Sequence, residues 1–221
     1  MTKRARLFVA LIAASMVLAS GVVVVIPRSV GRADVTTVGN DPLRTSWYSD
    51  LDGLSLDDVT APDFGRVFTT RLTGQIYAQP VVARGTVVVA TEANNVYGLD
   101  PTTGEVRWSR FLGAPWNAAD GGCPDLTPTI GITSTPVVDP VTGTAYLMAK
   151  KYASDSAGPG AYWMHAVDVT TGAERAGFPV AVPTDRPADN DPSRRFDPTQ
   201  ELQRPGLLLL DGVVYAAFGG M

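Results

Sequence analysis

The sequence predicts an all-β fold, and three of its features carry this prediction. Seventeen prolines and 22 glycines interrupt the 221-residue chain, so turns are frequent and long helices are disfavoured. Short β-branched runs separated by Gly, Asp and Pro follow one another after residue 64, as in "RVFTTRL", "PVVA", "TVVVAT" and "VYGLD". This spacing is typical of antiparallel strands joined by hairpins. Several runs are continuously apolar, which is expected of strands covered on both faces.

Residues 1–33 are predicted to be a signal peptide or an N-terminal membrane anchor. Lys3, Arg4 and Arg6 precede an uncharged apolar run over residues 7–26. This run is long for a signal peptide and just long enough to span a bilayer, so cleavage and membrane anchoring both stay open. Both alternatives predict an exported protein, secreted or held at the cell surface with the rest of the chain outside the cytoplasm.

The net charge and the cysteine content limit the kinds of partner that the chain is expected to bind. Without residues 1–33, the chain carries 13 basic and 22 acidic residues, a net charge of −9. An acidic domain is a poor partner for nucleic acid, so no nucleic-acid ligand is expected. Cys123 is the only cysteine. It is either an inert buried thiol or a thiol that pairs outside this sequence.

Residues 34–64 form a polar, irregular N-terminal segment before the strand pattern of residues 65–221 begins. Within this segment, "SLDDV" after Leu54 predicts a single helical turn with Ser55 as its N-cap. The predicted organisation is therefore an export or anchor region, an irregular segment and one β domain.

The stretch "NNVYGLDPTTGEVRW", residues 94–108, predicts a hairpin. Asp100 can accept hydrogen bonds from the backbone of the turn it begins, and Pro101 presets φ for the next position. Gly104 can adopt the left-handed conformation that closes the turn. Trp108 then lies on the returning strand, where its ring is predicted to dock this sheet on a neighbouring one.

A second copy of this unit follows 68 residues later. "AVDVTTGAE" at residues 166–174 repeats "GLDPTTGEV" at residues 98–106, and Pro80, Pro136 and Pro205 head three related strand pairs. The residues predicted to shape the repeat are Asp100, Gly104, Trp108, Asp168 and Gly172.

Repetition of a four-strand unit predicts a β-propeller of four-stranded antiparallel blades. Residues 65–221 hold about two and a half blades, against the four to eight that closed propellers typically have. The chain is therefore expected to be a piece of a longer protein, with a wheel closed by several copies as the alternative. The inserted stretches are predicted to be loops at the ends of the propeller: "GAPWNAADGGCPDLTPTIG", "KYASDSAGPGAYW" and "VPTDRPADNDPSRRFDPTQEL".

"PVVARGTVVVATEANNVYGLDPTTGEVRW" resembles a pyrroloquinoline-quinone-type propeller repeat. Quinoprotein alcohol dehydrogenases share this unit with bacterial envelope scaffold lipoproteins and with many secreted proteins of unassigned activity. The resemblance covers about residues 66–221. The second unit departs from the pattern, since Ala176 takes the place of Trp108, with Phe178 nearby.

For the dehydrogenases, the resemblance implies a quinone between a tryptophan floor and a disulfide of adjacent cysteines, with calcium and an aspartate base. This chain has no adjacent cysteines. Pyrroloquinoline quinone is therefore implied by the resemblance alone, and the cofactor stays unknown.

Ligand-binding candidates lie in the first long insertion. Trp116, Asp120 and Asp125 combine an aromatic ring with carboxylates, which suits sugars and cations, while a packing role is the alternative for Trp116. His165, the only histidine, aligns with Tyr97 inside a strand and is predicted to be structural. The sequence shows no triad spacing around it, so no catalytic residue is assigned.

The third insertion is rich in carboxylates but is predicted to be a solvated loop. It lacks the fixed alternation and glycine of an EF-hand loop, and arginines are interspersed among its acidic residues. No metal site is predicted there. The oxygen-bearing residues concerned are Asp185, Asp189, Asn190, Asp191 and Asp197.

The sequence favours a binding or scaffold module whose long loops meet a protein or glycan ligand, since loops on a rigid frame commonly carry function. A quinone-dependent oxidoreductase is the first alternative and rests on the resemblance. A carbohydrate-binding or carbohydrate-active surface protein is the second. Whether the protein is an enzyme is left open.

Overall fold

The computed structural model describes residues 34–48, 55–62, 64–122, 126–154 and 157–220. Predictions that concern residues 1–33, Cys123 and Asp125 lie outside these residues. Within these residues, helix is confined to one short α-helix, α1 (Leu56–Thr60), and one 3-10 helix (Ala118–Gly121). The predicted cap of α1 is confirmed, because Ser55 Oγ accepts a hydrogen bond from the Asp58 backbone N–H. Across the described ranges, no helix has the length and apolar character needed to cross a bilayer.

The first blade is a four-stranded antiparallel sheet in sequential strand order. Arg84 and Gly85 form its first turn with φ angles of 49° and 68°. Two positive φ angles suit the twist of a two-residue hairpin. The third turn contains the predicted Asp100 and Gly104. The strands are β1 (Val81–Ala83), β2 (Thr86–Ala90), β3 (Asn95–Leu99) and β4 (Val106–Phe111).

The first insertion is partly ordered as a strand pair and a 3-10 helix, where the sequence predicted a loop. β5 (Trp116–Asn117) pairs antiparallel with β6 (Thr129–Ile130). The Asn117 side chain accepts a hydrogen bond from the Ala119 backbone N–H at 3.0 Å and so caps the 3-10 helix. Backbone groups in this segment are thus satisfied locally.

The second blade has the same antiparallel order, with longer central strands. β8 and β9 have nine residues each, against five in β2 and in β3. The prediction that "KYASDSAGPGAYW" is a loop is therefore wrong at both of its ends, because residues 150–152 pair with residues 160–162. The strands are β7 (Val137–Asp139), β8 (Thr144–Tyr152), β9 (Gly160–Asp168) and β10 (Val180–Ala181).

Shorter strand pairs follow the second blade. The stretch predicted as the third long loop contains a hairpin of β11 (Pro187–Ala188) and β12 (Asp191–Arg195). The third repeat unit begins with an antiparallel hairpin of β14 (Leu208–Leu210) and β15 (Val213–Tyr215), as predicted. A last pair joins β13 (Glu201–Leu202) to β16 (Gly219–Gly220).

The main core lies between the first two blades and draws on both of them. It consists almost entirely of small and β-branched residues, which pack closely between stacked sheets. Its members include Val81, Val88, Val96, Ile132, Val138, Leu147 and Val167. The predicted all-β partial propeller with four-stranded antiparallel blades is therefore confirmed.

The segment before α1 crosses the first strands of both blades. Val35 and Val82 exchange two backbone hydrogen bonds of 2.7 and 2.8 Å, and the Val138 N–H donates to Thr36 O at 2.7 Å. Arg44 reaches further and donates to Gly206 O, just before β14. Part of the segment predicted to be irregular thus satisfies backbone groups of three successive repeat units.

Candidate functional site

The repeat turns are held by an aspartate at their first position. Asp100 Oδ1 accepts from the backbone N–H groups of Thr102 and Thr103, at 2.7 and 2.9 Å, and Arg107 pairs with its second oxygen. The N–H groups of Thr103 and Thr102 and then Arg107 lower the pKa of Asp100 to about 2. Gly104 closes the turn at a φ of 74°. The side chain predicted to begin the hairpin therefore does so as a carboxylate.

The second blade repeats this arrangement, including an arginine that the sequence analysis missed. Asp168 accepts from Thr170 and Thr171, and Arg175 forms an ion pair with it at 2.8 Å. Arg107 and Arg175 each also contact a threonine at the start of the second strand of their blade. A detectable signal was present, since each arginine lies three residues after the turn glycine.

Trp108 lies at the seam between the two blades. Its ring packs against Gly98 on the neighbouring strand and against Gly172 in the turn of the second blade, where an added Cβ would lie 2.5 Å from the ring. The indole Nε1 donates to Val169 O at 3.0 Å. Trp108 thus joins the first blade to the second by packing and by one hydrogen bond. In the second unit, Phe178 packs edge-on against Tyr146 instead.

A polar network continues from this seam towards the other end of the blades. Arg110 Nε donates to Glu174 Oε2 at 3.2 Å, and the His165 ring nitrogen Nδ1 lies 3.1 Å from the same oxygen. The Ala166 backbone N–H donates to Glu174 Oε1. His165 is almost fully buried, as the prediction of a structural position requires.

Lys151 extends the network to the surface. Its Nζ lies 3.3 Å from His165 Nε2 and donates to Leu112 O of the first blade at 3.1 Å. The ammonium also lies 4.8 Å from the centroid of the Trp163 ring, a cation–π distance. Sequence reasoning missed this neighbour of His165, because it depends on the register of β8 against β9.

An open cavity of about 250 Å³ adjoins Lys151 at the end of the β8–β9 hairpin. The side chains around it are mixed, with one cation, two aromatic rings and small residues. Its lining consists of Ala114, Lys151, Tyr152, Ala153, Ser154 and Trp163.

One of the three predicted ligand candidates, Asp120, contacts a residue of this cavity wall. Asp120 is exposed and accepts a hydrogen bond from Tyr152 Oη at 2.8 Å. Trp116 is fully buried, and the Lys150 ammonium covers its ring at 4.1 Å from the centroid. Of the two roles considered for Trp116, ligand binding and packing, the structure therefore favours packing.

A second polar group is buried near this end of the first blade. Glu92 is 1% exposed, and its Oε2 accepts from the Gly131 N–H at 2.6 Å. Burial raises the pKa of Glu92. Glu92 Oε1 and Asn94 Oδ1 have no hydrogen-bond partner among the described residues. Within the same described ranges, no three His, Cys, Asp or Glu side chains are grouped as they would be to hold a metal ion.

We predict that His165 makes folding stability fall as the pH falls. Burial lowers the pKa of His165 below its ordinary value, opposed by the hydrogen bond to Glu174. The unfolded chain therefore takes up this proton first, so stability present above a pH of about 6.5 is lost below it. His165→Asn should flatten this slope, as measured by urea unfolding at a series of pH values. An unchanged slope in the variant would contradict the assignment.

The fold and the turns described above define a pyrroloquinoline-quinone-type repeat β-propeller protein. The family model described as "Outer membrane protein assembly factor BamB" matches residues 59–195. This match covers more than half of the chain, so the chain belongs to that family. The resemblance to quinoprotein-type repeats is thereby confirmed. No protein of curated function matches the sequence significantly.

Solved structures share the fold at low sequence identity. Quinohemoprotein alcohol dehydrogenase ADHIIG from Pseudomonas putida HK5 is 16% identical with a TM-score of 0.55, over 85% of this chain and 23% of its own. BamB from Moraxella catarrhalis is 17% identical with a TM-score of 0.43, over 69% and 37%. Quinohemoprotein alcohol dehydrogenase from Comamonas testosteroni is 17% identical with a TM-score of 0.39, over 72% and 28%. The chain thus spans less than two fifths of each of these proteins.

Proposed function

We propose that this protein is an exported binding or scaffold module that holds a protein partner with the loops at one end of its blades. The family match, to proteins described as outer membrane protein assembly factors, carries this proposal. Export is supported by the basic residues ahead of the apolar run over residues 7–26. The binding end would be formed by the 3-10 helix, the β8–β9 hairpin and the cavity between them.

The structure supports this proposal because two joined blades form a rigid frame with a partly exposed 3-10 helix at one end. The paired blades are joined through Trp108, whereas the 3-10 helix presents exposed Ala119 and Asp120 beside the cavity. Rigid frames with exposed loops are a common arrangement for recognition, because binding then orders few side chains.

Site-specific photo-crosslinking in intact cells tests this proposal. A photoreactive amino acid at Ala119 should crosslink to a cell-envelope protein. The matched control is Val141, which is 85% exposed in the turn at the opposite end of β8. Equal crosslinking from the two positions, or no crosslinks from Ala119, would contradict a partner at this end.

Quinone chemistry receives less support from the residues described. The chain has one cysteine, so the adjacent-cysteine disulfide implied by the resemblance cannot form within it. The Trp116 ring is covered by Lys150 and is not an open floor for a flat cofactor. The fold shared with quinohemoprotein alcohol dehydrogenases at 16% identity therefore brings no dehydrogenase step to this chain.

A further inference from the structure

A continuous hydrogen-bonded chain of three side chains ends at the cavity, and it consists of Glu174, His165 and Lys151. Glu174 Oε2 lies 3.1 Å from His165 Nδ1, and His165 Nε2 lies 3.3 Å from Lys151 Nζ. Lys151 is also part of the cavity wall. A nucleophile, a base and a group that orients the base, each within hydrogen-bond reach of the next, is the arrangement that activates nucleophilic side chains.

The surroundings determine the tautomer of His165. Protonated Lys151 offers only donors, so Nε2 accepts, and Nδ1 carries the proton that is donated to Glu174. The Glu174 carboxylate is oriented in turn by Arg110 Nε and by the Ala166 N–H. Nε2 of neutral His165 is therefore directed at the Lys151 amine and is able to take a proton from it.

The surroundings of the Lys151 amine favour its neutral form. Burial lowers the pKa of Lys151, and the negative charge of Glu174 opposes this change. Arg110 neutralises part of that negative charge through its own ion pair with Glu174. Both effects favour a larger neutral fraction of the amine than an exposed lysine has at neutral pH.

We propose that Lys151 is a reactive amine that takes small aldehydes or ketones from the cavity as imines, with His165 as the base and Glu174 as a positioning residue. The Nζ lone pair forms a bond to the carbonyl carbon, and the π pair moves to oxygen. Two protons pass from Nζ through His165 Nε2 to that oxygen, which leaves as water, so that a C=N bond remains. The face of the Trp163 ring beside Lys151 favours compounds with a flat apolar group.

The lysine content of the chain makes a labelling test direct. The sequence contains three lysines, Lys3, Lys150 and Lys151, and Lys150 is fully buried. The folded full-length protein is incubated with benzaldehyde and sodium cyanoborohydride, and modified peptides are quantified by mass spectrometry. We expect Lys151 to be labelled about a hundredfold or more faster than an added reference peptide with one exposed lysine at neutral pH, the scale of assistance that a positioned base provides.

Variants separate the base from the positioning residue. Lys151→Arg should abolish the label at this position. His165→Asn keeps a donor for Glu174 but removes Nε2, and it should slow labelling of Lys151 about a hundredfold or more. Glu174→Gln should slow it less, and near-UV circular dichroism verifies that each variant is folded. Equal labelling rates for Lys151 and the reference peptide, or an unchanged rate in folded His165→Asn, would overturn the proposal.

The pH profile of the unmodified chain gives a test that needs no variant. The rise in Lys151 labelling with pH should be centred below the ordinary lysine pKa of about 10.4, because burial lowers the pKa of this amine. A rate that rises only near that value would overturn the proposal. These outcomes are independent of any crosslinked partner, so the proposed binding role and the amine site can fail separately.

Discussion

Replacing Trp108 with alanine should destabilise the protein by about 3 kcal/mol, the scale of a large aromatic ring removed from a packed position. The ring fills the space over Gly98 and Gly172, and its Nε1 donates to Val169 O. Alanine leaves this volume empty and the carbonyl without its partner. Urea unfolding followed by circular dichroism measures the change in the free energy of unfolding.

Two further variants show which property of Trp108 matters. Trp108→Phe keeps a ring but loses the hydrogen bond. Loss of this bond should lower the free energy of unfolding by about 1 kcal/mol, in addition to any effect of the smaller ring on packing. Phe111→Ala, on the same strand but 61% exposed, should change stability by less than about 0.5 kcal/mol. If Trp108→Ala and Phe111→Ala lowered the free energy of unfolding equally, the contact between the two blades would not depend on the Trp108 ring.

Gly172→Ala should cost about 3 kcal/mol, because two penalties add at this position. Its φ of 71° is unfavourable for any residue with a side chain. In addition, the new Cβ would lie 2.5 Å from the Trp108 ring, which would have to move. Chemical denaturation of the purified variant measures this loss.

A double-mutant cycle separates the two penalties. Gly85→Ala is the matched control, since Gly85 has a φ of 68° and open space around its Cβ position, and it should cost only about 1 kcal/mol. In a Trp108→Ala background, the loss of unfolding free energy caused by Gly172→Ala should fall to that same value of about 1 kcal/mol. The coupling free energy between the two positions is then about 2 kcal/mol. Additive losses would mean that the ring and the glycine do not interact.

Prediction from sequence succeeded where the interactions are local. The turn at Asp100 needs only its own backbone, and the N-cap of α1 needs only Asp58. It failed at the ends of β8 and β9, which contain glycine and polar residues typical of loops. These residues are strands because each finds a backbone partner across the hairpin, as Tyr152 does with Gly160.

The contacts of the candidate site could not be predicted from the sequence. Asp120 and Trp116 were predicted as ligand candidates from their residue types, but the burial of Trp116 under Lys150 depends on residues far along the chain. Lys151 meets His165 because Lys151 pairs with Ala161, which puts both side chains on one face of the sheet. A register shift of one residue would separate them.

The sequence by itself determined the all-β class, the repeat and the Asp-Gly turns, because hairpins are closed by hydrogen bonds between residues a few positions apart. The sequence also predicted that Trp108 docks its sheet on a neighbour, but only the tertiary structure decided which residues it meets there and which hydrogen bonds link Glu174, His165 and Lys151. The contact of Trp108 with Gly172 and the hydrogen bond from Lys151 to Leu112 O each join two different sheets. Such contacts exist only after the sheets have stacked, and no local pattern encodes their geometry.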